Sequence, residues 1–548
     1  MKKSILFILL LCIFSLCNLY EEKVYEKVTY SIANLNHYTI GVSTESNEDY
    51  IERVVVRVEL NYEVSVSDTE EEYSTILAAN IEKNRRRVEL KEEHKRKNEL
   101  YFDDLGIDNY DTFYICKYSP HIELEYFKND FILHKDEILS TLENNELVKS
   151  VSVIEYETSY NEYLTYVMNS MNMGSIYTNR TYTGSGVTIG LLEQGMIDVN
   201  DQGIAGSNYT IHDQPFVTEE VHQHTTIMAQ LMAGNYGVAK NAHLLNSYRV
   251  GSMSNEIEWM IDNGVDVINM SFGFGDKGTY NNDSAYVDYI VKNYGVFVCV
   301  ASGNSDEDNN EYVDNPGMAY NALTIGAADD SDGINGYSCF RVTTGANKPN
   351  IVVVGEGVNI PNTTLYTSGT SVACAIMTGT VALLFEKYPG LVGKPLQTMA
   401  IINASCMFYP TYTTRLDNGY NQLLGAGEFM FDRACTAYNT IRWVTVGSDE
   451  SGLYVHSDGV NMSVGQKIKI AIVRLVHATG IASQTTFSDF DMDFYEDGQV
   501  VASTYSTVDN VEIIEYTALK SGYHSWKVFK FDSETTSDEV VAIAYYLN

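Results

Sequence analysis

The stretch Glu256–Met270 reads EIEWMIDNGVDVINM and decides the class of fold. Its first half has the apolar spacing of a helix, Gly264 ends that helix, and Val265–Met270 is a short apolar strand. A second strand of this kind, Val296–Val300, lies further along the chain. Short apolar strands that alternate with helices are typical of a parallel sheet covered by helices on both faces. The sequence therefore predicts an α/β domain, over residues 161–437.

The segment before this domain has a different pattern, and we predict a separate α+β unit over residues 18–160. Alternating apolar residues predict strands at Val54–Leu60, Thr112–Cys116 and Val148–Ile154. A charged helical stretch follows the first strand, and a second helix is predicted around Ile138–Leu142. Strand, helix, strand, helix, strand is compatible with a ferredoxin-like module.

The segment after the α/β domain, residues 438–548, is all-β in character. Tight turns are predicted at Glu496–Gly498 and Lys520–Gly522. The strands predicted around them are Ile468–Val473, Phe490–Tyr495, Gln499–Ser503, Val511–Tyr516 and Tyr523–Phe529. Short strands at this spacing favour a β-sandwich.

The first residues have the layout of a secretory signal peptide. Lys2 and Lys3 precede the apolar run Ile5–Leu16, and we expect residues 1–17 to be removed. The run is too short to span a bilayer comfortably, so no membrane span is expected after removal. A lipid on Cys17 stays an alternative. The predicted location is secreted or extracellular, with attachment to the cell surface left open.

Composition narrows the class of partner. The 548 residues carry a formal net charge of −37, which disfavours nucleic acid because phosphates would be repelled. The eight cysteines are too widely spaced for a disulfide framework or a zinc site. We therefore predict no required cofactor and no metal in the site. Calcium binding by clustered acidic side chains stays open, without assigned ligands.

A serine stands where a small-residue turn meets an apolar helix, in Gly369–Ala373. A hydroxyl at that point lies near the positive end of the helix dipole. The backbone N–H of Ser371 could also hold a developing oxyanion. The alternative is that Ser371 merely caps the helix.

Three further residues could act with this serine. His224 opens a helix of small and apolar residues and could serve as a base, with His222 as a competitor. Glu193 follows the apolar strand Val187–Leu192, which places a carboxylate at the carboxyl edge of the sheet. Asn304 follows another strand and could donate its amide to an oxyanion, although a plain turn explains it equally well.

In their order along the chain, these elements resemble the subtilisin-like serine peptidases of the subtilase family. That family has a strand ending in Asp-x-Gly, a His-Gly-Thr helix, an oxyanion Asn and a Gly-Thr-Ser-x-Ala helix. Glu193–Gly195, His224–Gly234, Asn304 and Gly369–Ala373 are similar to these motifs. The resemblance implies a subtilisin-like α/β fold over about half of the chain, preceded by a pro-segment and followed by the β-sandwich.

The resemblance also implies the roles of the site residues. Ser371 would be the nucleophile, His224 the general base and Glu193 the residue that orients the imidazole, with Asn304 in the oxyanion hole. Residues 18–160 would be an intramolecular inhibitor, removed by self-cleavage. The partner would be a protein or peptide substrate, and the sequence does not determine which side chain precedes the cleaved bond. The residues expected to border the substrate are Ser271, Phe272, Gly273, Ala301, Ser302 and Gly303.

Three departures from the family pattern keep an alternative open. Glu193 replaces the usual Asp, Thr225 follows His224 in place of Gly, and Ala375 stands where Pro is usual. A catalytically impaired binding or regulatory protein on the same scaffold is therefore the rival hypothesis. An esterase is disfavoured because no Gly-x-Ser-x-Gly elbow surrounds Ser371.

Overall fold

The fold is known from a computed structural model of the chain. It describes residues 53–60, 90, 93–102, 104–105, 107, 112–115, 120–155, 167–173, 181–212, 221–248, 253–305, 311–329, 334, 336–360, 366–408, 412–447, 453–532 and 538–548. The predicted signal peptide, residues 1–17, lies outside this part of the chain.

The N-terminal unit is an antiparallel sheet with helices. Its described elements are β1 (Arg53–Leu60), β2 (Thr112–Ile115), β3 (His121–Phe127), α1 (Lys128–Glu143) and β4 (Val148–Glu155). The strand order β2-β3-β1-β4, with the helical residues 93–102 between β1 and β2, is that of a ferredoxin-like module. The sequence prediction missed β3, because its alternating charges run directly into α1 with no turn signal between them.

The central domain is built on a mostly parallel sheet. Within the described residues it has nine strands in the order β14-β15-β11-β10-β9-β8-β5-β7-β6, and the β14–β15 pair is antiparallel. The strands are β5 (Thr188–Leu192), β6 (Tyr209–Ile211), β7 (His243–Ser247), β8 (Val267–Met270), β9 (Phe297–Ala301), β10 (Leu323–Ala328), β11 (Ile351–Val354), β14 (Cys406–Met407) and β15 (Glu428–Phe429). A separate small pair is formed by β12 (Val358–Asn359) and β13 (Tyr366–Thr367).

Helices cover both faces of this sheet, as predicted. They are α2 (Val167–Ser170), α3 (Gln223–Ala233), α4 (Met253–Asp262), α5 (Asn282–Tyr294), α6 (Thr370–Lys387), α7 (Pro395–Ala404) and α8 (Phe431–Tyr438), with a short 3₁₀ turn at Pro389–Leu391. Strand β9 illustrates the division, because Cys299 packs in the core beneath α3 and α6 while Val298 packs beneath α4 and α5. This alternation of side chains is why both faces of the strands are apolar.

Helix α6 is long and apolar enough to cross a membrane by length and composition alone. It lies instead in the middle of the domain, with 89% of that window buried. It packs against α3 and the loop that follows, and Gly379 allows this close approach because a methyl group there would lie 3.3 Å from Met232 O and 2.8 Å from Val238 Cβ. The apolar character of α6 is therefore that of a core helix, and its N-terminus is fixed at the edge of the sheet.

The C-terminal unit consists of two antiparallel sheets. In the described residues their orders are β16-β23-β18-β21 and β17-β22-β19-β20. The strands are β16 (Arg442–Val446), β17 (Leu453–Met462), β18 (Lys467–Arg474), β19 (Asp489–Glu496), β20 (Gln499–Thr504), β21 (Val511–Thr517), β22 (Gly522–Asp532) and β23 (Glu539–Leu547), and a 3₁₀ turn covers Ala482–Gln484. Both sheets contribute to one apolar core that includes Trp526, which is the arrangement of a β-sandwich. Strands β16, β17 and β23 were not predicted.

The described cysteines do not form disulfides. Cys299, Cys339, Cys374 and Cys406 are buried and Cys435 is partly buried, and none of these five is joined in a disulfide. They pack as small apolar side chains, in agreement with their wide spacing in the sequence.

Candidate functional site

The predicted site residues meet at the carboxyl edge of the parallel sheet. Glu193 directly follows β5, Ser271 follows β8, and Asn304 lies three residues beyond β9. Parallel strands end at the same edge, so these residues come together although they are far apart in sequence. The N-termini of α3 and α6 bring His224 and Ser371 to the central domain's packed interior.

A buried carboxylate and imidazole form a pair. Glu193 Oε2 lies 3.2 Å from His224 Nδ1, and both side chains are fully buried. The backbone of Glu193 is held in turn, because its N–H donates to Ser247 O at 2.9 Å. The second carboxylate oxygen, Oε1, has no hydrogen-bond partner among the described residues. The longer Glu side chain thus reaches the ring that the family's Asp would orient.

His222, the other candidate for the general base, lies just before helix α3. His222 is the N-cap residue of α3, and its ring centroid lies 6.3 Å from that of His224. Burial, with a smaller contribution from His224, lowers the pKa of His222 to about 4. His222 is therefore neutral at neutral pH, and the hydrogen bond to Glu193 is made by His224.

The serine lies in the first turn of α6. The N-cap of α6 is Gly369, with φ 155°, so the alternative that Ser371 is the cap is wrong. Ser371 Oγ donates to Ser271 O at 3.1 Å, and Ser271 Oγ donates to Ser371 O at 2.9 Å. A hydroxyl has one proton, so the expected donation from Ser371 to His224 is not made in this arrangement. The buried carbonyl of Ser271 accepts this proton instead.

Two N–H groups beside the serine are available to an anion. Asn304 Oδ1 accepts from Thr370 N at 3.1 Å and from Thr370 Oγ1 at 3.2 Å. These bonds orient the Asn304 amide so that its NH₂ group points away from Thr370, and in the described structure it donates to no protein atom. The N–H of Ser371 is one of the unsatisfied donors at a helix start. Sequence reasoning missed Thr370, although it stands inside the quoted serine motif.

The first segment expected to border the substrate is mostly buried. Phe272 is 2% exposed and packs in the core beneath α4 and α5, where its ring stacks on Phe274 at 5.9 Å. Only its backbone can therefore face a ligand. Ser271 is buried in the pair with Ser371, whereas Gly273 is half-buried.

The second segment, Ala301–Gly303, is held by neighbouring strands. Ser302 N donates to Ile325 O at 3.0 Å, and Ser302 O accepts from Asp314 N at 3.1 Å. The backbone of Ser302 is thus engaged within the protein. Gly303, with φ 97°, supplies the left-handed turn that leads to Asn304.

No group of three or more His, Cys, Asp or Glu side chains in the described residues is placed to hold a metal ion. The possibility of calcium binding stays a prediction without assigned ligands.

The central domain is similar to known proteins. The family model described as the subtilase family, Peptidase_S8, matches residues 168–427. Subtilisin Savinase of Lederbergia lenta is 31% identical, with 38% of this chain and 80% of that protein covered. An alkaline protease of Alkalihalobacillus alcalophilus is also 31% identical over 38% of this chain, but the match spans only 57% of that protein.

The chain belongs to the subtilase family. The resemblance predicted from the four motifs is thereby confirmed, and with it the subtilisin-like sheet and helices. Among solved structures, the prenylagaramide maturation protease PagA is similar at 21% identity and a TM-score of 0.40, covering 48% of this chain and 96% of that one.

Proposed function

We propose that the protein is a serine endopeptidase that hydrolyses peptide bonds through an acyl-enzyme on Ser371. The observation that carries the proposal is the buried Glu193–His224 pair, with its 3.2 Å hydrogen bond, in a domain where Ser371 opens the core helix. Membership of the subtilase family supports the same activity. The expected substrate is a protein or peptide.

In the proposed mechanism, His224 removes the proton of Ser371 as Oγ attacks the peptide carbonyl. Glu193 keeps the imidazole oriented through Nδ1 and stabilises the imidazolium that forms. The hydroxyl must first exchange its acceptor, from Ser271 O to the imidazole. Such hydrogen bonds are often formed only once substrate is bound. Protonated His224 then donates to the leaving amine, and water hydrolyses the acyl-enzyme.

The developing oxyanion would be held by the Asn304 amide and the Ser371 N–H. Asn304 is suited to this because Thr370 occupies its oxygen at 3.1 Å and leaves its protons for the ligand. Donors fixed before the reaction stabilise charge without reorganisation, and losing one such donor costs about 10²–10³ in kcat.

We further propose that the protein is secreted and made as a zymogen. Contacts between the N-terminal unit and α5 support an inhibitor role for residues 18–160. His94 Nε2 lies 2.7 Å from Tyr289 Oη, and the His121 ring packs edge-on to Tyr286. We propose that self-cleavage occurs near residues 156–164, which lie outside the described residues.

The direct test is digestion of casein or a peptide library, together with labelling by a fluorophosphonate, which reacts with activated serines. Wild type should cleave and be labelled, and Ser371→Ala should do neither. The secreted wild type should begin at an N-terminus created by self-cleavage, whereas secreted Ser371→Ala should keep its pro-segment. Absence of both cleavage and labelling in fully processed wild type would favour the rival, an impaired binding or regulatory protein.

A further inference from the structure

The C-terminal unit touches the N-terminal unit through a loop. This loop, residues 475–487, connects β18 to β19, and backbone hydrogen bonds of 2.8 and 2.9 Å between His477 and Thr486 close it. A Cβ atom on Gly480 of the loop would lie 2.7 Å from Cε1 of His121, the first residue of β3. Gly480 has φ 92°, a left-handed conformation that favours glycine. The loop backbone therefore lies directly against an imidazole of the N-terminal unit.

The same loop is fixed along helix α5 of the central domain. Near the end of α5, Lys292 Nζ donates to Leu475 O at 3.2 Å. At the beginning of α5, Asn282 Oδ1 accepts from Ala482 N at 3.0 Å. The two bonds lie at opposite ends of the helix, so the loop follows its length. The loop and α5 thus form parts of one surface, although they belong to different units.

The N-terminal unit rests on both parts of this surface. Leu90, which is buried, belongs to the same apolar cluster as Tyr286 and Tyr289 of α5 and Ala478 of the loop. Burial of apolar surface stabilises the docked state in proportion to the area covered. Undocking would therefore expose apolar side chains of the central domain and of the C-terminal unit together.

The imidazole of His121 is enclosed where the two parts meet. Its ring packs edge-on to Tyr286, with 5.8 Å between the ring centroids, and His121 is only 2% exposed. Its neighbour in the C-terminal unit is the backbone of Gly480. A side chain at position 480 would have to displace this ring or lift the N-terminal unit, and closely packed sites do not accept an extra methyl group without cost.

We infer that α5 and loop 475–487 form one docking surface for the N-terminal unit, and that the C-terminal unit thereby helps to keep the peptidase latent after self-cleavage. The role in latency rests on the proposed function, whereas the shared docking surface does not. Contacts with the loop should act mainly by slowing release of the N-terminal unit, because most affinity differences between related complexes lie in the dissociation rate.

The test follows release of the N-terminal unit in the full chain carrying Ser371→Ala, so that self-cleavage does not occur. A recognition sequence for an unrelated protease is inserted between residues 156 and 164 and cut, with the chain held on a sensor surface by its C-terminus. Gly480→Ala should make the N-terminal unit leave about 10- to 100-fold faster, the effect of an extra methyl group in a packed interface. Gly465→Ala is the matched control, since Gly465 has φ 84° in the same unit and a methyl group there meets nothing within 4 Å; it should leave the release rate unchanged.

A double-mutant cycle with His121→Ala separates the contact from a change within the loop itself. Without the imidazole, Gly480→Ala should no longer change the release rate. A release rate of Gly480→Ala equal to that of Gly465→Ala overturns the inference, and so does an equal acceleration with and without the His121 ring. Both outcomes leave the proposed peptidase standing, since no step of this test uses its activity.

Latency is measured in the chain with Ser371 intact. The interval between cutting of the linker and cleavage of a peptide p-nitroanilide should be shorter in Gly480→Ala than in Gly465→Ala. Equal intervals overturn the role in latency. Absence of peptide cleavage even after the N-terminal unit has left overturns the proposed peptidase, while the release rates decide the docking surface separately.

Discussion

Shortening Glu193 to the Asp that is usual in this family should impair this protein. Glu193→Asp removes one carbon–carbon bond, about 1.5 Å of reach. The present distance from the carboxylate to His224 Nδ1 is 3.2 Å, so the gap would widen to as much as about 4.7 Å, beyond hydrogen-bond range.

The backbone cannot easily close this gap. Strand β5 is paired with β7 on one side and β8 on the other, and Glu193 N is held by Ser247 O at 2.9 Å. Without this hydrogen bond the imidazole is not held in position, and a misplacement of about 1 Å lowers the rate about 10²-fold. We therefore expect Glu193→Asp to lower kcat/KM by about 10²-fold. Glu193→Gln should lose more, since in a serine-protease triad the acid-to-amide change costs about 10⁴ in kcat.

The assay is the initial rate of p-nitroanilide release from a peptide. Each variant is processed by a trace of wild-type enzyme that is then removed, so that slow self-cleavage does not limit the measurement. Thermal unfolding followed by circular dichroism serves as the control for folding. An Asp variant as active as wild type, with an unchanged unfolding temperature, would refute the reasoning from side-chain reach.

Three further predictions concern other parts of the chain. Asn304→Leu should lower kcat about 10²–10³-fold with little change in KM, measured on the same substrate. Gly379→Ala would bring a methyl group to 2.8 Å from Val238 Cβ; in an inactive background it should lower the free energy of unfolding by about 1–3 kcal/mol, measured in urea. Burial lowers the pKa of His94 to about 3, from 6.5 when free, so docking of the N-terminal unit should be strongest above pH 6.5 and weaken as the pH falls below it. Inhibition of the peptidase by its N-terminal unit should therefore weaken between pH 7 and pH 5, and His94→Phe should remove this pH dependence. Inhibition of the wild type that does not change with pH would contradict the prediction.

Much of the fold was predictable because local patterns carry it. The helix, glycine and strand of Glu256–Met270 appear in the structure as α4 and β8, within a few residues of the predicted bounds. Strand β3 was missed, since no turn signal separates it from α1, which begins at the next residue. Strands β16, β17 and β23 were also missed, and the structure pairs them with β23, β22 and β18, respectively.

The sequence by itself determined the order of the motifs, the apolar strands and the residue types of the site, because these depend on local spacing and chemistry. Only the tertiary structure decided which groups touch. It showed the Glu193 carboxylate at His224, the Ser371 hydroxyl at Ser271, and the His121 ring at Gly480. These contacts join segments separated by long stretches of chain, and their distances depend on how whole strands and helices pack.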